Sequence, residues 1–294
     1  MQGILSEKLI LTEAAILERL RRNKDISLCC HVDHAKLIYS KTGAESLKRI
    51  YSEYINLAID AKLPLLLATP TWRASSERVS LAKAPASINE DAVNFLSNIL
   101  PKEGNVYVGG LVGCKNDCYK PQQSLTYKES LSYHRWQIDK LGASKADYLM
   151  GVTLPAVPEA LGIASLMSKH SKPYFISFVI GSDGRLLDGH TIQEAISHID
   201  YQVSPKPSGY FINCSHPSFL DVSSQLPDRL IGIQANASSL THNELENRKT
   251  THSDSISEWG NLMLHLNQNN GFNILGGCCG TDSRHLEYII NNHN

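Results

Sequence analysis

The sequence predicts an α/β protein, a single (β/α)8 TIM barrel with an insertion after its first strand, and three observations carry that expectation. Eight short runs rich in Val, Ile, Leu and aromatics recur along the 294 residues. Each is followed by a loop and then a segment with helical spacing. Strand–helix alternation repeated eight times over this length fits one barrel, which takes about 250 residues plus insertions. Most of the runs are nearly continuous in apolar residues, as befits parallel strands buried on both faces.

The first run is KLILTEAA (8–15). The segment 21–43, RRNKDISLCCHVDHAKLIYSKTG, is too long for a plain connection and is read as the insertion. AESLKRIYSEYINLAIDA (44–61) then sets Leu47, Ile50, Tyr51, Tyr54, Ile55 and Ala58 on one helical stripe. LPLLLATPT (63–71) is the second strand, and DAVNFLSNIL the next helix, with Val93, Leu96 and Ile99 in register. NVYVGGLVG (105–113) leads to the helical LSYHRWQIDKLGA, and ADYLMGVTL (146–154) to AVPEALGIASLMSKH, with Pro158 in its first turn where a missing N–H costs little. PYFISFVI (173–180) precedes TIQEAISHI, where Thr191 and Glu194 make a capping-box pattern. GYFINCSH (209–216) and RLIGIQANA (229–237) are the sixth and seventh strands. SISEWGNLMLHLNQNNG pairs Ser255 with Glu258 in the same capping pattern and ends on an Asn-Gly stop signal. FNILGGCCG (272–280) is the eighth strand, and Thr281 is the expected cap of a last helix.

The competing architecture, an open doubly wound sheet, finds no support. No G-x-G-x-x-G follows the first strand and no G-x-x-x-x-G-K-[ST] occurs, so nothing favours nucleotide binding. Without solenoid repeats, low-complexity tracts or a linker, residues 1–294 are read as one barrel domain. Hydrophobic content of 42% and charged content of 19% are those of a soluble globular chain. A formal net charge of −1 gives no basic field for nucleic acid or anionic membrane. The start, MQGILSEKLILTE, lacks the long apolar core of a signal peptide, and no apolar run reaches the roughly 18–20 residues of a membrane span. Seven cysteines, an odd number, then point to reduced thiols and a cytoplasmic protein.

Topology alone brings some of these thiols together. Barrel active sites lie at the C-terminal ends of the strands. Cys214 ends the sixth strand, while Cys278 and Cys279 end the eighth. Adjacent cysteines are poor partners for each other in a relaxed disulfide. Their convergence with Cys214 favours a shared metal ion over small buried side chains at a turn.

GYFINCSH followed by ILGGCCGTDSRH resembles the homocysteine S-methyltransferase family, whose zinc is held by an Asn-Cys cysteine and a Gly-Gly-Cys-Cys-Gly pair. The resemblance runs nearly the whole chain: LPLLLATPTWRAS is similar to the family's Thr-x-Thr-aromatic-x-Ala-Ser segment, LPAVPEALGIA to its Pro-x-x-x-Glu-Ala stretch, and IQANAS to its Pro-Asn-Ser/Ala stretch. It implies a Zn²⁺-dependent methyltransferase with Cys214, Cys278 and Cys279 as ligands and no catalytic residue beyond the metal site. Three thiolates leave a tetrahedral zinc one open position, where a substrate thiol is deprotonated and stays nucleophilic. Gly276, Gly277 and Gly280 let the backbone fold the adjacent cysteines onto one ion. Two positions depart from the family pattern. Glu13-Ala14 stands where the family has Asp-Gly, so the carboxylate is kept and the glycine is not. Val152-Thr153-Leu154-Pro155 stands where the family has Glu-Thr-x-Pro, and a valine cannot accept a hydrogen bond from an amino acid's ammonium.

Substrate-binding candidates are therefore Glu13, Trp72, Arg73, Thr153, Asn213 and Asn236. The Trp72 indole offers a cation–π surface for a methylated cation, with core capping as the alternative. The Asn213 and Asn236 amides sit where they hydrogen-bond a substrate or orient a ligand sulfur. Trp136 and Trp259 fall in helical stripes and are read as packing, and His216 and His285 as helix-end packing as readily as proton carriers. Cys29, Cys30, His31, Asp33 and His34 lack the paired spacing of a zinc module and are read as a loop near the mouth. Cys114 and Cys118 are read as loop cysteines, with Asp117 and Tyr119 as pocket lining.

The expected reaction moves a methyl group from an onium donor (S-methylmethionine, S-adenosylmethionine or betaine) to the thiol of homocysteine, giving methionine. The expected partners are these small molecules, with neither nucleic acid nor membrane. Val152 and Ala14 keep two alternatives open: the same transfer to a different thiol, or a catalytically silent relative that binds zinc or a thiol metabolite.

Overall fold

The computed structural model describes residues 3–102, 104–220, 225–240, 244 and 253–293. Its strands are β1 (Ile10–Thr12), β2 (Leu65–Ala68), β3 (Val106–Gly113), β4 (Tyr148–Leu154), β5 (Tyr174–Phe178), β6 (Gly209–Asn213), β7 (Leu230–Ala235) and β8 (Ile274–Gly277). They form a closed barrel in sequence order, every pair parallel, with β1 meeting β8 through Ile10↔Ile274 and Leu11↔Leu275. All eight predicted runs are strands, and closure leaves no sheet edge unpaired.

Period-two alternation divides the barrel into a filled lumen and an outer shell. Ile10, Leu66, Tyr148, Met150, Val152, Phe175, Phe211 and Ile274 pack together inside. Their sequence neighbours Leu11, Leu65, Leu67, Leu149, Ile176, Ile212 and Leu275 face the helices. Val152 thus faces the lumen, two residues beyond Met150 on the same strand face.

The shell helices are α1 (Leu17–Arg22), α2 (Lys41–Asp60), α3 (Ser76–Leu81), α4 (Ile88–Ile99), α5 (Tyr127–Ala143), α6 (Val157–Met167), α7 (Ile192–Gln202), α8 (Ile256–Asn270) and α9 (Ser283–Asn292). In α2 the buried face contains all six residues of the predicted stripe. Reciprocal capping boxes close Thr191 onto Glu194 and Ser255 onto Glu258, as the sequence predicts, and Thr126 onto Glu129 as well. α8 ends at Gly271 in the left-handed region, φ 75°. The cap of α9 differs from expectation: Asp282 receives the Arg284 N–H, while the Thr281 hydroxyl donates to the Cys278 carbonyl at 2.6 Å. The carboxylate is the better acceptor for a helix N-terminus, which leaves Thr281 for the cysteine turn.

The segment between β1 and α2 carries α1, a bridge joining Cys29 to Asp33 and a 3₁₀ turn over Ala35–Tyr39. Its Val32 and Ala35 pack with Ala74, Val79, Ala82 and Ile88, so it lies over the corner between β2 and α4. Among the described residues no helix is long and apolar enough to cross a membrane.

Candidate metal centre

Three loop entries at one end of the barrel bring the cysteines together. Cys214 follows β6 directly and Cys278 follows β8. The end of β7 lies between them and is tied to both: the Cys214 N–H donates to the Gln234 carbonyl at 3.3 Å and the Cys278 N–H to the Ala235 carbonyl at 2.7 Å. Ala237 N–H bonds the Cys279 carbonyl at 2.9 Å, and Asn236 N–H the Ser215 carbonyl at 3.0 Å. Residues 234–237, at and just past the end of β7, therefore index both cysteine turns.

The backbone pays for this placement locally. Cys214 has φ 53°, a region that non-glycine residues enter rarely and at a cost of about 1–3 kcal/mol. Thr153, inside β4, has φ 56°, more unusual still for a β-branched side chain. Asn213 connects the two. Its Oδ1 accepts from the Thr153 N–H at 2.9 Å and the Ser177 hydroxyl at 2.6 Å, which fixes the amide's orientation. Its Nδ2 is then turned to the Cys214 sulfur, 3.4 Å away. In the second turn Gly280 has φ 83°, and a side chain on Gly277 would strike the Thr281 hydroxyl at 2.2 Å. The Gly280 N–H donates to the Glu18 carboxylate.

The sulfurs of Cys214, Cys278 and Cys279 all lie within 4.8 Å of one another, with Cys214 and Cys278 at 2.8 Å. Two sulfurs bound tetrahedrally to one Zn²⁺ at about 2.3 Å each are about 3.8 Å apart, a spacing between that of the Cys214–Cys278 pair and the 4.8 Å limit of the set. Its charge state fits the same role. Hydrogen bonds from Cys214 and Cys278 hold the Cys279 thiol well below its usual range. The Cys214 thiol is pushed up, first by its bonds to Cys278 and Cys279 and then by burial. The cluster so keeps a negative charge, which the charge of Arg21 favours at Cys279.

The remaining candidates divide by position. Glu13, at the end of β1, receives the Ala68 N–H on Oε2 at 3.2 Å, and its carbonyl receives the Gly277 N–H. Burial pushes its carboxyl up to about 8. Trp72 donates its indole N–H to the Thr153 hydroxyl at 2.9 Å, and the Arg73 guanidinium lies 4.3 Å from the ring centroid. Arg73 also pairs with Asp33 of the insertion at 3.4 Å, so the protein supplies its own cation to Trp72. Thr153 is held by Asn213, Trp72 and its own hydroxyl bond to the Val152 carbonyl. Asn236 accepts the Cys279 N–H on Oδ1 at 3.1 Å. Both asparagines are thus turned toward the cysteine turns.

These features coincide with an independent match. The family described as homocysteine S-methyltransferase matches residues 10–292. The chain belongs to the homocysteine S-methyltransferase family. It is an enzyme, a methyltransferase by that membership. Homocysteine S-methyltransferase 2 of Saccharomyces cerevisiae is 23% identical over 274 residues, 85% of this chain and 81% of the yeast protein. The fold is also that of the homocysteine methyltransferase MmuM from Escherichia coli. Its oxidized form aligns with TM-score 0.77 and its metallated form with 0.74, both at 16% identity over 97% of this chain and 96% of MmuM.

Two features of the homocysteine S-methyltransferase site were not singled out in the sequence. Buried Glu159 accepts from the Lys115 and Leu125 N–H groups, the Ser124 hydroxyl and His134 Nε2, the last at 3.0 Å. It anchors the β3–α5 loop, and Tyr119 on that loop reaches across to donate to the Cys214 carbonyl at 3.0 Å. The acid's position in the first turn of an apolar helix was the available signal, because a carboxylate buried there needs partners. The second is a cavity of about 430 Å³ beside Cys214, walled by the β5–α7 loop. GSDGRLLDG (181–189), a polar Gly-rich stretch at a strand's C-terminal end, marked it.

Proposed function

We propose that this enzyme is a Zn²⁺-dependent S-methyltransferase, with residues 1–294 acting as one homocysteine-binding barrel domain. It transfers a methyl group from an onium donor to the thiol of homocysteine, giving methionine. The observation that carries the reading is the convergence of three sulfurs, from two strand ends, at the barrel mouth. Cys214, Cys278 and Cys279 would hold the ion. Bound zinc supplies a Lewis acid that keeps the acceptor sulfur a thiolate at neutral pH, where a free thiol of pKa about 8.5 is mostly protonated.

The protein's own groups do the rest by position. Asn213 directs a donor at the Cys214 sulfur and Asn236 fixes the Cys279 turn. Glu13, just past β1, is buried at the same mouth and its carboxyl accepts the Ala68 N–H. A lone pair on the acceptor sulfur forms the new S–CH₃ bond as the donor's bond from methyl to its onium centre breaks. That bond's electron pair stays with the leaving group, and the thiol proton goes to solvent. Small molecules are the proposed partners, and the odd number of cysteines supports a cytoplasmic location. Cys278→Ser tests the reading: zinc content and methyl transfer should fall together, and retention of both would refute it.

The buried Val152 favours a second reading, in which the same chemistry serves another thiol, since it offers an ammonium no acceptor. A panel of thiols assayed with one donor separates the two. Homocysteine should exceed analogues lacking the ammonium under the first reading and should not under the second.

A further inference from the structure

Resting on the onium-donor reading, we propose that the cavity beside Cys214 is the donor's binding site and that Asp183 is its charge-selecting residue. The cavity, about 430 Å³, has Cys214 and Asn236 on its inner side and Tyr119, Phe219 and Leu187 among its walls. Its size is that of a small-molecule site, and its walls mix apolar side chains with Ser182, Asp183, His216 and Asn236. None of the acceptor-side candidates Glu13, Trp72, Arg73 and Thr153 lines this cavity, whereas Cys214 does. It offers the second reactant space beside the same sulfur.

The electrostatics select a cation. Among the described lining residues none is Lys or Arg, and Asp183 is the one carboxylate. Among the described lining residues a donor with a large anionic part finds no Lys or Arg, whereas a methylsulfonium finds the Tyr119 and Phe219 rings and a carboxylate.

The loop that presents Asp183 is built in advance. Ile180 N–H bonds the Ser215 hydroxyl, which itself donates to the Ile180 carbonyl, both at 3.0 Å, locking the loop to the residue after Cys214. Bridges pair Ile180 with Leu186 and Arg185 with Thr191. Asp183 Oδ1 accepts the Arg185 N–H at 3.1 Å, and the Arg185 guanidinium donates to the Gly189 carbonyl instead of pairing with Asp183. Among the described residues nothing hydrogen-bonds Oδ2 of the exposed Asp183, which can therefore meet a ligand. Asp183→Asn keeps the turn-forming oxygen and removes only the charge.

Equilibrium dialysis of zinc-loaded enzyme against S-methylmethionine and, separately, S-adenosylmethionine tests the assignment. Asp183→Asn should weaken binding of the sulfonium three- to tenfold, and Leu187→Trp, which fills the cavity, should abolish it. The KM for the donor should rise in Asp183→Asn while that for the acceptor stays put, a split that a merely structural role would not produce. Whichever sulfonium shows this dependence identifies the source. No binding of either to the unmodified enzyme, or equal binding by Asp183→Asn, overturns the proposal. Zinc content and homocysteine ligation, which do not involve Asp183, report separately on the metal reading.

Discussion

Replacing Asn213 by leucine removes one amide from among three partners at nearly constant volume, and each loss has a separate consequence. The Thr153 N–H and Ser177 hydroxyl lose their acceptor in a buried site. At about 1–3 kcal/mol for each unsatisfied group, the metal-free protein should lose about 2–6 kcal/mol, a large part of a typical 5–15 kcal/mol. The Cys214 sulfur loses the N–H that lies 3.4 Å away. Removing such a partner of a ligand costs about 10–100-fold in metal affinity. Urea unfolding of the metal-free chain measures the first effect, and zinc competition with a chromophoric chelator the second. Asn213→Asp serves as a check, because it keeps the acceptor oxygen but puts no N–H on the sulfur. A leucine variant that is destabilised yet binds zinc within twofold of the unmodified enzyme would refute the claim that this amide positions the ligand.

Glu13 makes stability depend on pH. Its folded-state pKa, raised to about 8 by burial, means that its contribution is complete below the unfolded value near 4.5 and is lost as pH rises toward 8. The stability difference between the unmodified chain and Glu13→Gln should therefore shift by about 1.4 kcal/mol per pH unit between pH 5 and 8, against the unmodified chain, in urea titrations; parallel curves would contradict it. Gly280→Ala must hold an alanine at φ 83° with its Cβ 3.0 Å from that of Ala237. It should cost about 1–2 kcal/mol and weaken zinc binding, read by calorimetry and metal competition. Tyr119→Phe removes the bond to the Cys214 carbonyl and should cost about 0.5–1.5 kcal/mol in urea unfolding, with zinc content retained.

The barrel was legible in the sequence because its signals are local and repeated. Eight apolar runs are eight strands, and the α2 stripe is the buried face of α2. The cysteine cluster was legible for a different reason: topology sends every strand's C-terminal end to one mouth, so residues 64 positions apart in the chain (278 − 214) meet without any local signal. What stayed hidden depends on side-chain direction. Trp72 reads as an open aromatic face, but Arg73 from the next position folds onto it, a contact set by the Asp33 partner in the insertion. Asn213 reads equally as a substrate or a sulfur partner until the Thr153 and Ser177 donors fix its oxygen. Thr281 reads as the helix cap, and the stronger carboxylate next to it takes that place.

Zinc per chain, with the number of sulfurs around it followed by X-ray absorption on addition of homocysteine, tests the central claim most directly. One zinc with three sulfurs rising to four is the predicted result. A protein purified under reducing conditions that takes up no zinc, or whose zinc is not ligated by sulfur, would contradict the account.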